Sequence, residues 1–459
     1  MTNSSEKFEH EKVRMLYAPW ERNLDLLLTP FEKFVRHQAT SGLILMFTAL
    51  FALCLANSAW GDIYRAVLHY PVSFGFGSLV IEKSLQHWIN DGLMTLFFFV
   101  VGLELKREFL VGELSTIRMA TLPAVAALGG MLVPALIYFA INPEGDAARG
   151  WGIPMATDIA FALGVIALLA GRVPKALISF LVALAIVDDL GAIIIIAFFY
   201  TEQLVWSALL FALLFTLLMV IFNLLGVRRT VPYFILAVLL WMALMASGIH
   251  ATLAGVITAF TIPALPRFDP YAFLERVKEL VQQFDNSFEE GESILKNHRM
   301  ISTLQALRKG VDGVEPPLQR IIHQAHMPVA FFILPLFALF NAGVEINFSG
   351  FTEALKQPVV IGVSFGLLFG KFIGITCFSW IALKMNIVSL PNGVNMKHIG
   401  GAAVLASIGF TMSIFITELA FGQQPILMQQ AKLGILVASI LAGIVGYQWL
   451  YKLGKSKFA

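Results

Sequence analysis

The chain has 459 residues, 58% of them hydrophobic and 14% charged, with a formal net charge of +2. A mean hydropathy of +0.77 is more than a soluble domain can bury, so the composition implies a polytopic membrane protein. The near-neutral balance offers no basic cluster for nucleic acid, and Cys54 and Cys377 lie in apolar segments without metal-ligand spacing.

Residues 1–40 are charged, mixed in sign, and lack the basic-then-apolar order of a cleaved signal peptide. They read as a cytoplasmic tail ahead of a membrane domain over 41–459. About twelve apolar stretches follow that can cross roughly 30 Å as helices. They fall near 41–58, 87–105, 119–141, 152–171, 175–200, 204–226, 231–247, 250–263, 327–345, 358–383, 399–421 and 429–451. The all-α fold is interrupted between the first two spans. There, 68–84 alternates apolar residues around Gly75 and Gly77, the mark of a small β-hairpin. That hairpin is either a loop or a strand-pairing surface between protomers.

The second span carries Asp91, then Glu104 and Glu108 one turn apart at its far end. The fourth holds Thr157, Asp158 and Gly164, and the fifth holds Asp188 and Asp189. Ala246 to Gly248 is the weakest division, and His250 follows it. Residues 264–325 form a charged cytoplasmic insert. Within it Phe273, Leu274, Val277, Leu280, Val281 and Phe284 keep helical spacing, so an amphipathic helix packs on the protein, the membrane or a partner. His323 and His326 lie where the insert meets the ninth span. The tenth carries Lys371, and the eleventh carries Gly400, Gly401, Ser407, Gly409 and Thr411. Polar and glycine-rich interruptions in the fourth and eleventh spans are what broken helices at a transporter's midplane look like.

Loop charge sets orientation. Lys106, Arg107, Arg118, Arg172, Lys175, Arg228, Arg229, Lys384, Lys397, Lys452, Lys455 and Lys457 fall on one side, against few on the other. The bias places both termini in the cytoplasm.

A carboxylate at bilayer depth costs several kcal/mol, so Asp158, Asp188, Asp189 and Lys371 together mark ion handling. Neighbouring helical residues point about 100° apart, so Asp188 and Asp189 do not share one groove squarely. Lys371 is the natural counter-charge. Burial favours the protonated carboxyl, whereas a small hard cation needs ionised oxygens, so cation and proton compete for one site. Access from one side at a time turns that competition into exchange. Thr157 can add an oxygen ligand. An intramembrane aspartyl protease also uses two aspartates, but adjacent Asp188 and Asp189 do not match its separate-helix arrangement. A cation channel or a sodium-coupled symporter suits glycine-rich broken helices, although Lys371 beside the acids argues against a simple pore.

The segments ATDIAFALG, ALAIVDDLGAIIIIA, SGIHATLAGV, ILPLFALFNAGV, GLLFGKFIGI and GFTMSIFI resemble those of bacterial NhaA-type sodium/proton antiporters. The likeness runs from about 41 to 452. It implies twelve transmembrane helices with inverted repeats and two broken crossing helices. It also implies electrogenic exchange of H+ for Na+ or Li+ across the bacterial inner membrane, without cofactor or nucleotide. By this likeness Asp188 and Asp189 bind cation and proton, Thr157 neighbours the cation, and Asp158 and Lys371 balance charge at the crossing. Glu104, Glu108, His250, His323 and His326 correspond to a pH-response region, and the hairpin to a homodimer contact. Ile322 stands where the family can have an acid before the first histidine, and the insert is long for a minimal member.

Overall fold

The computed structural model describes residues 38–76, 79–112, 114–169, 172–201, 204–287, 296–345 and 350–455. Residues 1–37 of the expected tail, and Lys457, lie outside them. Helix α1 (Gln38–Ala56) bends by 112° into α2 (Gly61–Leu68). Strands β1 (Pro71–Phe76) and β2 (Leu79–Ser84) then pair antiparallel, Pro71 opposite Ser84 and Val72 opposite Lys83. This is the hairpin expected at 68–84.

The second span ends in α3 (Met94–Val111), after a π turn at Ile89–Leu93 that carries Asp91. Next come α4 (Ile117–Ile141), a 3₁₀ segment (Asp146–Met155), α5 (Ile159–Ala167) and α6 (Lys175–Phe199). Helices α7 (Trp206–Leu224), α8 (Val231–Ser247) and α9 (Leu253–Thr261) follow. Gly248, at φ 85°, ends α8 in the left-handed conformation that glycine adopts without strain, which makes the weak division a true break.

The insert forms α10 (Pro270–Asn286) and α11 (His298–Val314). Asp269 and Asn297 cap them by accepting from Ala272 N and Met300 N. The Gly313 carbonyl accepts from Arg267 N and Phe268 N and closes the base. Leu280 and Met300 are buried between the two helices, whereas Leu274 and Val281 face outward. The apolar face therefore splits. Phe273, Val277, Leu280 and Phe284 turn towards α11, and the insert packs largely on itself.

The ninth span is α12 (Pro317–Pro328), a π turn (Val329–Ile333) and α13 (Leu334–Asn341). The tenth is α14 (Pro358–Phe365), a π turn (Gly366–Gly370) and α15 (Lys371–Lys384). Helices α16 (Met396–Ala406) and α17 (Phe410–Phe421) meet at a 47° break, and α18 (Pro425–Lys455) closes the chain.

Among the described residues, eight helices are long and apolar enough to cross a membrane, or ten when each bent pair is one span. The seventh and eighth expected stretches are the shorter α8 and α9. Two three-membered units share one order, long helix, interrupted helix, long helix: α4 to α6, and α14 to α18. They meet where α4 crosses α15. A Cβ on Gly129 would strike the Gly374 carbonyl, so both glycines are needed for this approach. The close crossing and the π turn before it set Lys371 against α6.

Candidate ion-exchange site

The two interrupted helices break beside each other, and the two breaks are stitched together. Between the 3₁₀ segment and α5, residues 156–158 run without helical bonds. Asp158 N donates to the Ile408 carbonyl at 2.7 Å, joining this break to the one between α16 and α17. The Asp158 carboxylate caps α5 by accepting from Phe161 N at 2.9 Å through Oδ1. Its Oδ2 accepts from Thr411 N at 3.0 Å and from Thr411 Oγ1 at 2.5 Å, in the first turn of α17. One buried carboxylate thus faces the positive N-terminal ends of two helices.

The opposite charge sits on the other side of the crossing. Lys371 Nζ, fully buried, donates to Asp188 Oδ2 at 2.6 Å and to Thr157 Oγ1 at 2.5 Å. Thr157 Oγ1 also lies 2.7 Å from Asp188 Oδ2 and 3.0 Å from the Ala406 carbonyl, at the negative C-terminal end of α16. Lysine and carboxylate therefore each compensate helix ends of opposite sign.

Asp188 and Asp189 part company as the helical rotation predicts. Asp188 is committed to Lys371 and Thr157 through Oδ2, while its Oδ1 and that of Asp189 make no hydrogen bond. Asp189 lines a cavity of about 90 Å³, together with Asp158, Thr411, Glu104 and His326. That volume holds several waters or a partly hydrated cation. The site offers two carboxylates with spare oxygens and a hydroxyl, a donor set suited to a hard monovalent cation.

The residues tied to pH response do not gather in one place. Glu104 lines the Asp189 cavity, with His326 Nδ1 at 3.9 Å. Glu108 pairs with Arg107 at 3.3 Å, and His323 is exposed one turn before His326. His250 lies elsewhere. Its Nδ1 is 2.7 Å from Thr252 Oγ1 and its Nε2 is 3.7 Å from Asp91 Oδ1. It lines a separate cavity of about 570 Å³ with Lys83, His87, Asp91, Arg149 and Glu418.

Phe415 forms part of the floor of that second cavity. Its ring packs against Phe98 at 5.4 Å, Phe337 at 6.3 Å and His250 at 5.5 Å. Phe98 in turn packs on Phe97, which lines the Asp189 cavity. An aromatic partition thus stands between the two cavities. Sequence reading did not find this partition, because phenylalanine is abundant along the whole chain. It also missed the second vestibule, whose residues come from β2, the end of α8 and the link after it, α17 and the segments before α3 and α5. Only Asp91 and His250 stood out beforehand.

Residues 32–450 match the family described as Na+/H+ antiporter 1. The chain is 58% identical over 438 residues to the Na+/H+ antiporter NhaA 1 of Saccharophagus degradans, covering 95% of this chain and 94% of that one. It is 48% identical to the Na+/H+ antiporter NhaA of Sulfurimonas denitrificans, over 96% and 99% of the two chains. It is 50% identical to that of Syntrophobacter fumaroxidans, over 94% and 92%.

Proposed function

Because this chain belongs to the Na+/H+ antiporter 1 family, we propose that it is a secondary transporter exporting Na+, or Li+, in exchange for H+ across a bacterial inner membrane. The observation that carries this reading is the divergence of Asp188 and Asp189: one is bound to Lys371, the other faces the cavity.

In the cation-free state Lys371 stands in for the cation at Asp188. A cation entering the cavity takes oxygens from Asp189, the spare Oδ1 of Asp188 and Thr157, and weakens the hold of Lys371. Protons return when the cation leaves, because two neighbouring buried carboxylates are costly to keep ionised without a counter-ion. With Lys371 giving up its proton when the cation displaces it from Asp188, and Asp189 giving up the other, more than one proton moves per cation and the exchange is electrogenic. Asp158 keeps its charge throughout, fixed by two helix ends, and holds the crossing together. Glu104 and His326 line the approach and make entry responsive to pH, with Glu108 and His323 beside them. His250 acts from the other cavity. Loop charge supports both termini in the cytoplasm, which puts the Asp189 cavity on the cytoplasmic side. The hairpin supports a homodimer, since a two-stranded sheet offers free edges to a second copy.

The test is sodium-dependent dequenching of a pH-gradient dye in everted vesicles. Wild type dequenches with Na+ and Li+; Asp188→Asn and Asp189→Asn are inserted but silent. Full activity in both variants would remove the basis of the reading.

A further inference from the structure

Glu418 sits on α17 two turns beyond Thr411, with Phe415 between them on the same helical face. At 1.5 Å per residue it stands about 10 Å along the axis from the residue that holds Asp158. Glu418 lines both cavities on the far side of the aromatic partition, of about 570 and 350 Å³. Its Oε1 lies 2.6 Å from Lys432 Nζ on α18, and both side chains are largely buried, 14% and 8% exposed. Lys432 lines only the smaller of these cavities.

The larger cavity has three carboxylates, Asp91, Asp146 and Glu418, against Lys83 and Arg149. With its histidines neutral, its lining carries one net negative charge. Asp91 is engaged by Lys83 at 3.2 Å and by His87 at 3.0 Å on that wall. The cation facing Glu418 stands outside it. Removing the Glu418 charge therefore leaves the cavity neutral, and a low-dielectric recess focuses such a change in field.

We propose that Glu418 is the cation-capture residue of the outer vestibule, setting the apparent affinity for Na+ from that side alone while Lys432 restrains it. This rests on the antiport reading. Lys432 is to Glu418 as Lys371 is to Asp188, a tethered ammonium that an arriving cation displaces. A purely structural tie between α17 and α18 would act differently. Breaking it from either end would move both faces in the same direction.

The experiment measures half-saturating Na+ for ²²Na+ flux in proteoliposomes of defined orientation, from each face, at low and high ionic strength. Glu418→Gln is expected to raise the value on the Glu418 face by about two- to tenfold, less at high salt, with the opposite face unchanged. Lys432→Gln is expected to lower it on the same face, and Glu418→Asp to restore wild-type behaviour. Equal values for Glu418→Gln and wild type would overturn the proposal. So would a shift of both faces together, or a rise with Lys432→Gln; the last result decides the matter even if Glu418→Gln fails to fold. Absence of sodium-coupled proton movement in wild type would sink the antiport reading instead.

Discussion

At Asp158 a single side chain accepts three hydrogen bonds, from Phe161 N, Thr411 N and Thr411 Oγ1. At roughly 1 kcal/mol for each, and more where the acceptor is charged, Asp158→Ala should cost about 3 kcal/mol or more. The expected outcome is a clear fall in detergent melting temperature together with loss of exchange. Lys371 behaves differently. Lys371→Met strands Asp188 in a dry site, and breaking a buried pair from one end costs about 3–5 kcal/mol. Adding Asp188→Asn removes the stranded charge, so the double variant should melt above Lys371→Met alone while staying inactive. A double-mutant thermal-shift cycle reads this directly. Thr157→Val keeps the shape but deletes a hydroxyl that touches both Asp188 and Lys371. Half-saturating Na+ should rise about tenfold, in keeping with loss of one hydrogen bond near a charge.

Among the elements, the crossing of α4 and α15 decides where Lys371 stands. Gly374→Val places a branched side chain against the Gly129 backbone and should push the helices apart. Exchange is expected to vanish with Asp188 and Asp189 intact, and fluorescence size-exclusion profiles should show a destabilised protein. Much at this scale was legible beforehand. Acids in an apolar run pointed to the place where the two breaks meet, and glycines beside polar residues announced both breaks. The 100° rotation foretold that Asp188 and Asp189 would diverge, but not which one would meet Lys371. That depends on where α15 lies, and no local pattern encodes it. The π turns before Lys371 and at Asp91 have no compositional signature. The Glu418–Lys432 pair joins two helices across a turn, and each residue alone reads as an ordinary interfacial charge.

For the molecule as a whole, the insert and the transport body are separable. Helices α10 and α11 pack on each other, and the Gly313 carbonyl closes their base. Leu318 N donates to the Pro263 carbonyl at 3.2 Å, so the flanking chain ends already lie side by side. Replacing residues 266–314 with a short glycine–serine linker should leave the maximal exchange rate within about twofold, since closing such a loop costs little entropy. Dye dequenching in everted vesicles checks this, and its pH profile shows whether the insert tunes His323 and His326. Sequence periodicity gave the insert a helix, yet it left open what that helix would face. The partner turned out to be the insert's own second helix.

The stitching of the two breaks also bears on how the protein is made. Asp158 and its partner Thr411 are 253 residues apart. At bacterial elongation speeds of roughly 5–20 residues per second, Asp158 leaves the ribosome about 13–50 seconds before Thr411 exists. During that interval the fourth span is a broken helix whose acid keeps the bond from Phe161 N but lacks the two from Thr411. A carboxylate at that depth costs a few kcal/mol until the eleventh span supplies the remaining donors. The crossing is thus completed only once the second broken helix arrives, and nascent chains truncated before Thr411 should remain open to proteolysis at the first break.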